Sequence, residues 1–264
     1  MRFSSFIEAQ GIVFYLVLIL GLVVIISYMI WSFQFFTLDV VYREEVRLSI
    51  YLSLYTSAIS TSVALLLGLL IGYHLVERRS GLQEYSLVLI MLPDALSPAG
   101  IGLILLIFFT QTPLGELVNR YLQIVNDPKG ILLAQTIVAL PLSVGSSMMI
   151  LQTINPGYWE TALTLGFRRL EALFRLIIPM LGKQFMLSAV VIFTRVLGEF
   201  GASYILGGGI RLRTETLPIM LFYANNYGDL RILSTVLTIY LLSALAVIAF
   251  SYSITREVGR VARG

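Results

Sequence analysis

The sequence predicts an all-α protein that crosses a membrane several times, as six transmembrane helices. The 264 residues are 58% hydrophobic and only 12% charged, whereas about a quarter of the residues in a soluble domain are charged. The mean hydropathy is +0.88. Apolar stretches of about 20 residues, the length that spans the hydrocarbon core of a bilayer, recur six times along the chain.

The six stretches are expected to form one membrane domain over residues 1–264. The first, from Gly11 to Trp31, exceeds the roughly 7–15 apolar residues of a signal peptide and is therefore predicted to be a retained helix. The alternating pattern of membrane barrel strands is absent from the sequence, so each stretch is predicted to be helical. The predicted spans lie near 11–33, 48–74, 85–110, 131–151, 184–206 and 232–254.

The loop charges predict the orientation. If the N-terminus is cytoplasmic, more Lys and Arg residues lie in inner loops than in outer loops, as the positive-inside rule requires. Both termini are therefore predicted to be cytoplasmic, in a multi-pass protein of the cell membrane. The inner set is Arg2, Arg78, Arg79, Arg168, Arg169, Arg175, Lys183, Arg256, Arg260 and Arg263, and the outer set is Arg43, Arg47, Arg120, Lys129, Arg211, Arg213 and Arg231.

The composition argues against most bond chemistry. The chain has no cysteine and one histidine, His74, so neither a metal site nor a catalytic residue is predicted. A membrane enzyme would need a nucleophile with a base, or a metal cluster, inside the spans. The sequence has no P-loop, so energy for uphill transport would have to come from another chain. The net charge of +3 does not indicate nucleic-acid binding, because the positive charges lie in membrane loops.

A charged amphipathic segment, residues 155–183, lies between the fourth and fifth predicted spans. Trp159, Ala162, Leu163 and Gly166 recur at helical spacing, and a second apolar stripe follows them. This pattern predicts two short helices with a turn near Gly166. Periodicity alone favours an ordinary amphipathic helix on the membrane surface.

The order of residues in this segment is more specific. The segment contains Glu160-Thr161-Ala162, then Gly166 after three residues, Leu176 after nine more, and Ile178-Pro179 after one more. This spacing resembles the "EAA" signature of ATP-binding-cassette importer permeases, with mild departures at Thr161, Leu176 and Ile178. The resemblance implies the type I importer permease fold, with a coupling helix between spans 4 and 5. It also implies that an ATP-binding subunit contacts Tyr158, Trp159, Glu160, Ala162, Leu163, Gly166, Arg168 and Pro179.

Two further stretches are similar to the molybdate, tungstate and sulfate branch of these permeases. Residues 91–106 place Pro93, Pro98 and Gly102 in that branch's third-span pattern, although Asp94 departs from it. Residues 194–223 match its fifth-span core and the tail that follows. The matching positions there are Arg195, Glu199, Phe200, Gly201, Ala202, Thr214, Thr216, Leu217, Pro218 and Tyr223.

Several polar residues within the spans are candidates for a translocation pathway or gate. Arg195 and Glu199 are four residues apart and would share a helical face, either as a buried pair that fixes packing or beside the pathway. Asp94 would cap amide groups freed by the prolines or line the pathway. Ser143 would offer a hydroxyl to an anion or serve helix packing. The full candidate set is Arg195, Glu199, Gly201, Pro93, Asp94, Pro98, Pro141 and Ser143.

The resemblance implies a transport subunit rather than an enzyme. Its expected partners are two ATP-binding subunits, a second permease copy, an extracytoplasmic binding protein and the lipid bilayer. ATP and Mg would bind to the partner subunits, and this chain would hold no cofactor. Molybdate, tungstate or sulfate is the expected cargo, with thiamine, iron, a polyamine or a phosphonate as alternatives. A secondary transporter would leave the signature in residues 155–183 unexplained.

Overall fold

The computed structural model describes residues 2–77 and 81–261, and every regular element in these ranges is helical. Arg78, Arg79 and Arg263, which entered the orientation argument, lie outside them. The elements, with a π-helical turn (Leu173–Ile177) between α9 and α10, are α1 (Arg2–Ser32), α2 (Leu38–Val41), α3 (Glu44–Glu77), α4 (Gly81–Ala95), α5 (Pro98–Gln111), α6 (Pro113–Leu122), α7 (Pro128–Gln152), α8 (Pro156–Thr164), α9 (Arg169–Ala172), α10 (Ile178–Met180), α11 (Gly182–Leu197), α12 (Gly201–Gly207), α13 (Leu217–Tyr227) and α14 (Leu230–Val261).

The described helices provide four candidate spans, or six if each of two bent helix pairs forms one span. Four are long and apolar enough on their own: Phe14–Ser32 within α1, the whole of α3 and α7, and Leu230–Val247 within α14. Two more are bent pairs, Tyr85–Ala95 with Pro98–Gln111 at 106° and Arg169–Met180 with Gly182–Leu197 at 82°. This arrangement confirms the predicted all-α, polytopic fold.

Helices α3 and α7 form the centre of the bundle because small residues let their backbones approach closely. A Cβ added at Gly68 of α3 would lie 2.7 Å from the backbone carbon of Ser143. Ser143 is buried, and its hydroxyl donates a 2.7 Å hydrogen bond to the Ala64 carbonyl. Pro141, also buried, lies inside α7, which remains one helix from Pro128 to Gln152.

The third predicted span is two helices rather than one. Pro98 has no amide hydrogen to donate, and the residue before a proline is driven into an extended conformation. Ser97 accordingly has φ −67° and ψ 147°, and its side chain accepts a hydrogen bond from the Gly100 amide at the start of α5. Helix α4 therefore ends at Ala95.

The fifth predicted span is also interrupted. Helix α11 ends at Leu197, and α12 begins only at Gly201. Between them Gly198 has φ −87° and ψ 3°, outside regular helical geometry. A Cβ at Gly201 would lie 2.8 Å from the Ala99 amide nitrogen, so the start of α12 packs directly on the start of α5. The two helix breaks thus lie next to each other.

Candidate coupling segment and translocation path

Local sequence explains where α8 begins. The Asn155 side chain accepts a 2.9 Å hydrogen bond from the Gly157 amide, which satisfies one of the donors left open at a helix start. Pro156 occupies the first helical position, where its missing amide hydrogen costs nothing. Asn155, Pro156 and Gly157 therefore determine where α8, the first helix of the segment with the signature, begins.

A glycine ends α8. Gly166 has φ +85°, and its amide bonds to the Leu163 carbonyl while the Phe167 amide bonds to the Ala162 carbonyl. These two bonds define a Schellman motif, in which a left-handed residue follows the last helical turn. Glycine adopts this conformation without the penalty that a Cβ incurs. The predicted turn near Gly166 and the helices on either side of it are present.

The inner face of α8 packs on the bundle. Ala162 is buried, and the Trp159 ring lies 5.8 Å from the Tyr73 ring of α3. Trp159 also packs beside the buried cluster that contains Leu151 and Leu173. The structure therefore places Trp159 against the chain's own helices.

Charged residues fix the start of α9. Arg169 forms an ion pair with Glu77 in the last turn of α3. Arg168 is the N-terminal cap residue of α9 and is exposed. Arg175, in the π-helical turn, pairs with Glu171 of α9 at 2.9 Å. The two neighbouring arginines thus differ, since Arg169 binds within the chain and Arg168 faces outward.

The outer face of α8 and the following turn are open. Tyr158, Leu163 and Leu165 are 55%, 40% and 70% exposed, and Glu160 is exposed beside them. Pro179, the last residue of the signature, is exposed in α10 after the π-helical turn. This surface combines apolar anchors with a charged rim, the composition of an energetically effective protein interface.

A cavity of about 430 Å³ opens beside α8. Tyr73 and Glu77 of α3 form one wall, and Trp159, Glu160 and Arg169 form the other. Sequence reasoning missed Tyr73 and Glu77, because neither belongs to a motif. The available signal was their position at the end of a predicted span, four residues apart and hence on one helical face.

Glu199 serves as a cap for α12. One carboxylate oxygen accepts from the Ala202 amide at 2.8 Å, and the other accepts from the Ser203 amide at 2.9 Å and from the Ser203 hydroxyl. The side chain is 2% exposed. Because α11 ends before Glu199, this residue and Arg195 do not share a helical face. Among the ion pairs of the described residues, none joins the two.

The other pathway candidates divide into exposed and buried groups. Arg195, in the last turn of α11, and Asp94, in the last turn of α4, are both exposed. The capping role considered for Asp94 belongs to Ser97, three residues later. Pro93, Pro98 and Gly201 lie at or beside the helix breaks, whereas Pro141 and Ser143 are buried, Ser143 against Ala64 of α3.

Comparison with known proteins identifies the family. Residues 64–259 match the family described as "Binding-protein-dependent transport system inner membrane component". The chain is 28% identical over 171 residues to the sulfate transport system permease protein CysT of Salmonella typhimurium, covering 64% of this chain and 62% of that protein. It is 36% identical over 139 residues to the molybdenum transport system permease protein ModB of Mycobacterium tuberculosis, covering 51% and 52%. The chain thus spans about half to three fifths of the length of these two relatives.

A third relative and two solved structures complete the comparison. The tungstate uptake system permease protein TupB of Peptoclostridium acidaminophilum is 26% identical over 158 residues, covering 60% of this chain and 67% of that protein. A chain of a bacterial alginate ABC transporter is 15% identical, with a TM-score of 0.69 over 92% of this chain and 95% of that one. A chain of the MetNI methionine ABC transporter is 16% identical, with a TM-score of 0.59 over 80% and 94%. The structures share the fold, and the match over residues 64–259 shows that the chain belongs to the family of binding-protein-dependent transport system inner membrane components.

Proposed function

We propose that this chain is the permease subunit of an ATP-driven, binding-protein-dependent importer of a tetrahedral oxyanion: molybdate, tungstate or sulfate. The observation that carries the cargo assignment is the similarity to permeases named for sulfate, molybdenum and tungstate transport. The family membership supports the transport role. The chain itself performs no bond chemistry, and a separate ATP-binding subunit holds ATP and Mg.

The outer face of α8 is the proposed contact with the ATP-binding subunit. Tyr158, Leu163 and Leu165 supply the apolar anchors, and Glu160 and Arg168 supply charges at the rim. Trp159 and Ala162 support this face from within. This division keeps Tyr158, Glu160, Leu163 and Arg168 as contact residues and assigns Trp159 and Ala162 to the permease side of the contact.

The translocation path is proposed to run beside the meeting point of the two helix breaks, between two copies of the chain. Arg195 is the proposed attraction for an oxyanion, because it is exposed on α11 and a charge in a span requires water or a partner. Glu199 holds α12 in place rather than meeting the cargo. Both termini and α8 are proposed to lie in the cytoplasm, and an extracytoplasmic binding protein is proposed to deliver the cargo to the opposite face.

Reconstituted uptake tests the transport role. The chain is expected to co-purify with an ATP-binding subunit, and the complex in proteoliposomes is expected to accumulate labelled molybdate, tungstate or sulfate when ATP and the binding protein are supplied. Replacing Tyr158 and Leu165 by serine should reduce co-purification, whereas replacing exposed Leu114 on α6 should not. Stable purification without any ATP-binding subunit would contradict the proposal.

Calorimetry of the partner binding protein tests the cargo separately. Titration with molybdate, tungstate and sulfate is expected to give binding, and titration with thiamine, ferric iron, spermidine or a phosphonate is expected to give none. Binding of one of the latter in place of the oxyanions would overturn the cargo assignment and leave the transport role intact.

A further inference from the structure

A second cavity, of about 460 Å³, lies at the end of the bundle far from α8. Its walls include Glu45 at the start of α3. Glu77, which pairs with Arg169 of α9, lies at the opposite end of the same helix. At 1.5 Å per residue these positions are about 48 Å apart. The remaining walls come from the loop before α13, from α13 itself and from the start of α14. The lining residues are Glu45, Gly209, Arg211, Glu215, Met220, Tyr223, Ala224, Tyr227, Asp229 and Ile232.

Glu215 is the unusual member of this lining. It is 6% exposed, and its Oε2 atom has no hydrogen-bond partner among the described residues. Burial raises the pKa of the Glu215 carboxyl, and the nearby Arg211 charge opposes this shift. A buried carboxylate oxygen without a donor is costly. The cavity therefore contains an acceptor that a bound donor would satisfy.

The neighbouring arginine is already engaged. Arg211 Nε donates to Glu45 Oε2 at 2.8 Å, and the two residues form an ion pair. Asp229 Oδ1 accepts from the Arg231 and Ile232 amides at the start of α14. The lining thus holds three carboxylates and one guanidinium. This excess of negative charge attracts a cation and repels an oxyanion.

Aromatic rings form part of the same lining. The Tyr223 and Tyr227 rings lie 6.2 Å apart, and the Tyr223 hydroxyl donates to the Gly209 carbonyl at 3.1 Å. Tyr227 is 81% exposed, so its ring is accessible from outside. Organic cations bind favourably to the faces of aromatic rings. Their N–H groups would also donate to the Glu215 oxygen that has no hydrogen-bond partner.

We propose that this cavity binds a cationic nitrogen group, an alkylammonium or alkylguanidinium, with Glu215 Oε2 as its acceptor and Tyr227 beside it. The group comes either from a free amine or from a Lys or Arg side chain of a protein seated on this end. The proposed ligand differs from the transported cargo, because a negatively charged cavity repels an oxyanion. The proposal therefore holds whichever cargo is transported.

Calorimetry on the full-length chain in nonionic detergent, with any subunits that co-purify, tests this assignment. Agmatine, a free alkylguanidinium with a second amine, and N-acetyl-arginine amide, which mimics a protein side chain, are the two probes. Agmatine is expected to bind the wild type, and Glu215→Gln should weaken binding about tenfold, since the cation then donates to a neutral amide oxygen instead of a carboxylate. Equal binding of N-acetyl-arginine amide assigns the group to a protein side chain, and binding of agmatine alone assigns it to a free amine.

Matched variants keep the test decisive. Glu116→Gln removes an exposed carboxylate of α6 outside the cavity and should leave binding unchanged. Tyr227→Leu, at an exposed position, should weaken binding even if Glu215→Gln fails to fold. Absence of agmatine binding to the wild type, unchanged binding in both cavity variants, or binding of Ca²⁺ in place of agmatine would overturn the proposal.

Discussion

Glu77, in the last turn of α3, forms an ion pair with Arg169, the first residue of α9. Four residues earlier on α3, Tyr73 packs against Trp159. The two contacts hold the proposed coupling segment to α3 at one residue before the turn at Gly166 and at one residue after it. Movement of this segment is therefore expected to reach α3 through one aromatic and one ionic contact.

Glu77→Gln is expected to reduce transport more than it reduces stability. The Arg169 and Glu77 side chains are 58% and 23% exposed, and a pair this exposed contributes only about 0.2–1 kcal/mol to folding. The measurement is uptake per ATP hydrolysed in proteoliposomes, alongside thermal unfolding. The charge-swapped double variant Glu77→Arg with Arg169→Glu should recover coupling. A loss of uptake that only follows loss of folded protein would contradict this role.

Gly166→Ala is expected to weaken assembly with the ATP-binding subunit. A Cβ at Gly166 would meet nothing within 4 Å, so the cost comes from its φ of +85° alone, roughly 1–2 kcal/mol. Gly166→Asn should cost less, because asparagine tolerates this region. Co-purification with the ATP-binding subunit measures the effect. Gly182→Ala provides the control, since that glycine has equally open surroundings without a positive φ.

Glu199→Gln is expected to destabilise the protein. The glutamine amide has one acceptor oxygen, so at least one of the buried donors at Ala202 and Ser203 would lose its partner, at about 1–3 kcal/mol. The melting temperature in detergent should fall. Arg195→Ala should leave the melting temperature unchanged, because this side chain is exposed, and should lower oxyanion uptake. Equal thermal destabilisation by the two variants would contradict the separate roles proposed for them.

Glu215→Gln is expected to remove a pH dependence of stability. Burial raises the folded-state pKa of Glu215 above its ordinary value of 4.5, so the folded protein holds this proton more tightly than the unfolded chain. Stability contributed by protonated Glu215 is therefore lost as pH rises through the folded-state pKa. The variant should be more stable than the wild type at neutral pH, and the difference should shrink as pH falls toward 4.5. Melting curves of both proteins at several pH values provide the comparison.

The predictable parts of the coupling segment are those set by local chemistry. Gly166 and the spacing around it indicated a helix, a turn and a second helix, because a left-handed residue favours glycine wherever it occurs. The side of α8 that Trp159 occupies was not predictable. It depends on Tyr73, a residue 86 positions earlier in the chain.

The pathway region shows the same limit. Pro98 indicated an interruption, but the break at Gly198 was missed, and with it the separation of Arg195 from Glu199. The sequence signal was Gly198 and Gly201 on either side of Glu199, which permits a carboxylate to cap a new helix start. Glu215 carried no local signal, since its burial results from the assembly of α3, α13 and α14.

Helix α3 has a mechanical consequence. It is unbroken over 34 residues, about 50 Å, and it contacts the proposed coupling segment at Tyr73 and Glu77. At its other end Glu45 binds Arg211, and Ser53 accepts from the Leu217 amide at the start of α13. An unbroken helix with contacts at both ends is expected to move as one body. A displacement of the proposed coupling segment is therefore expected to reach the loop before α13, about 50 Å away.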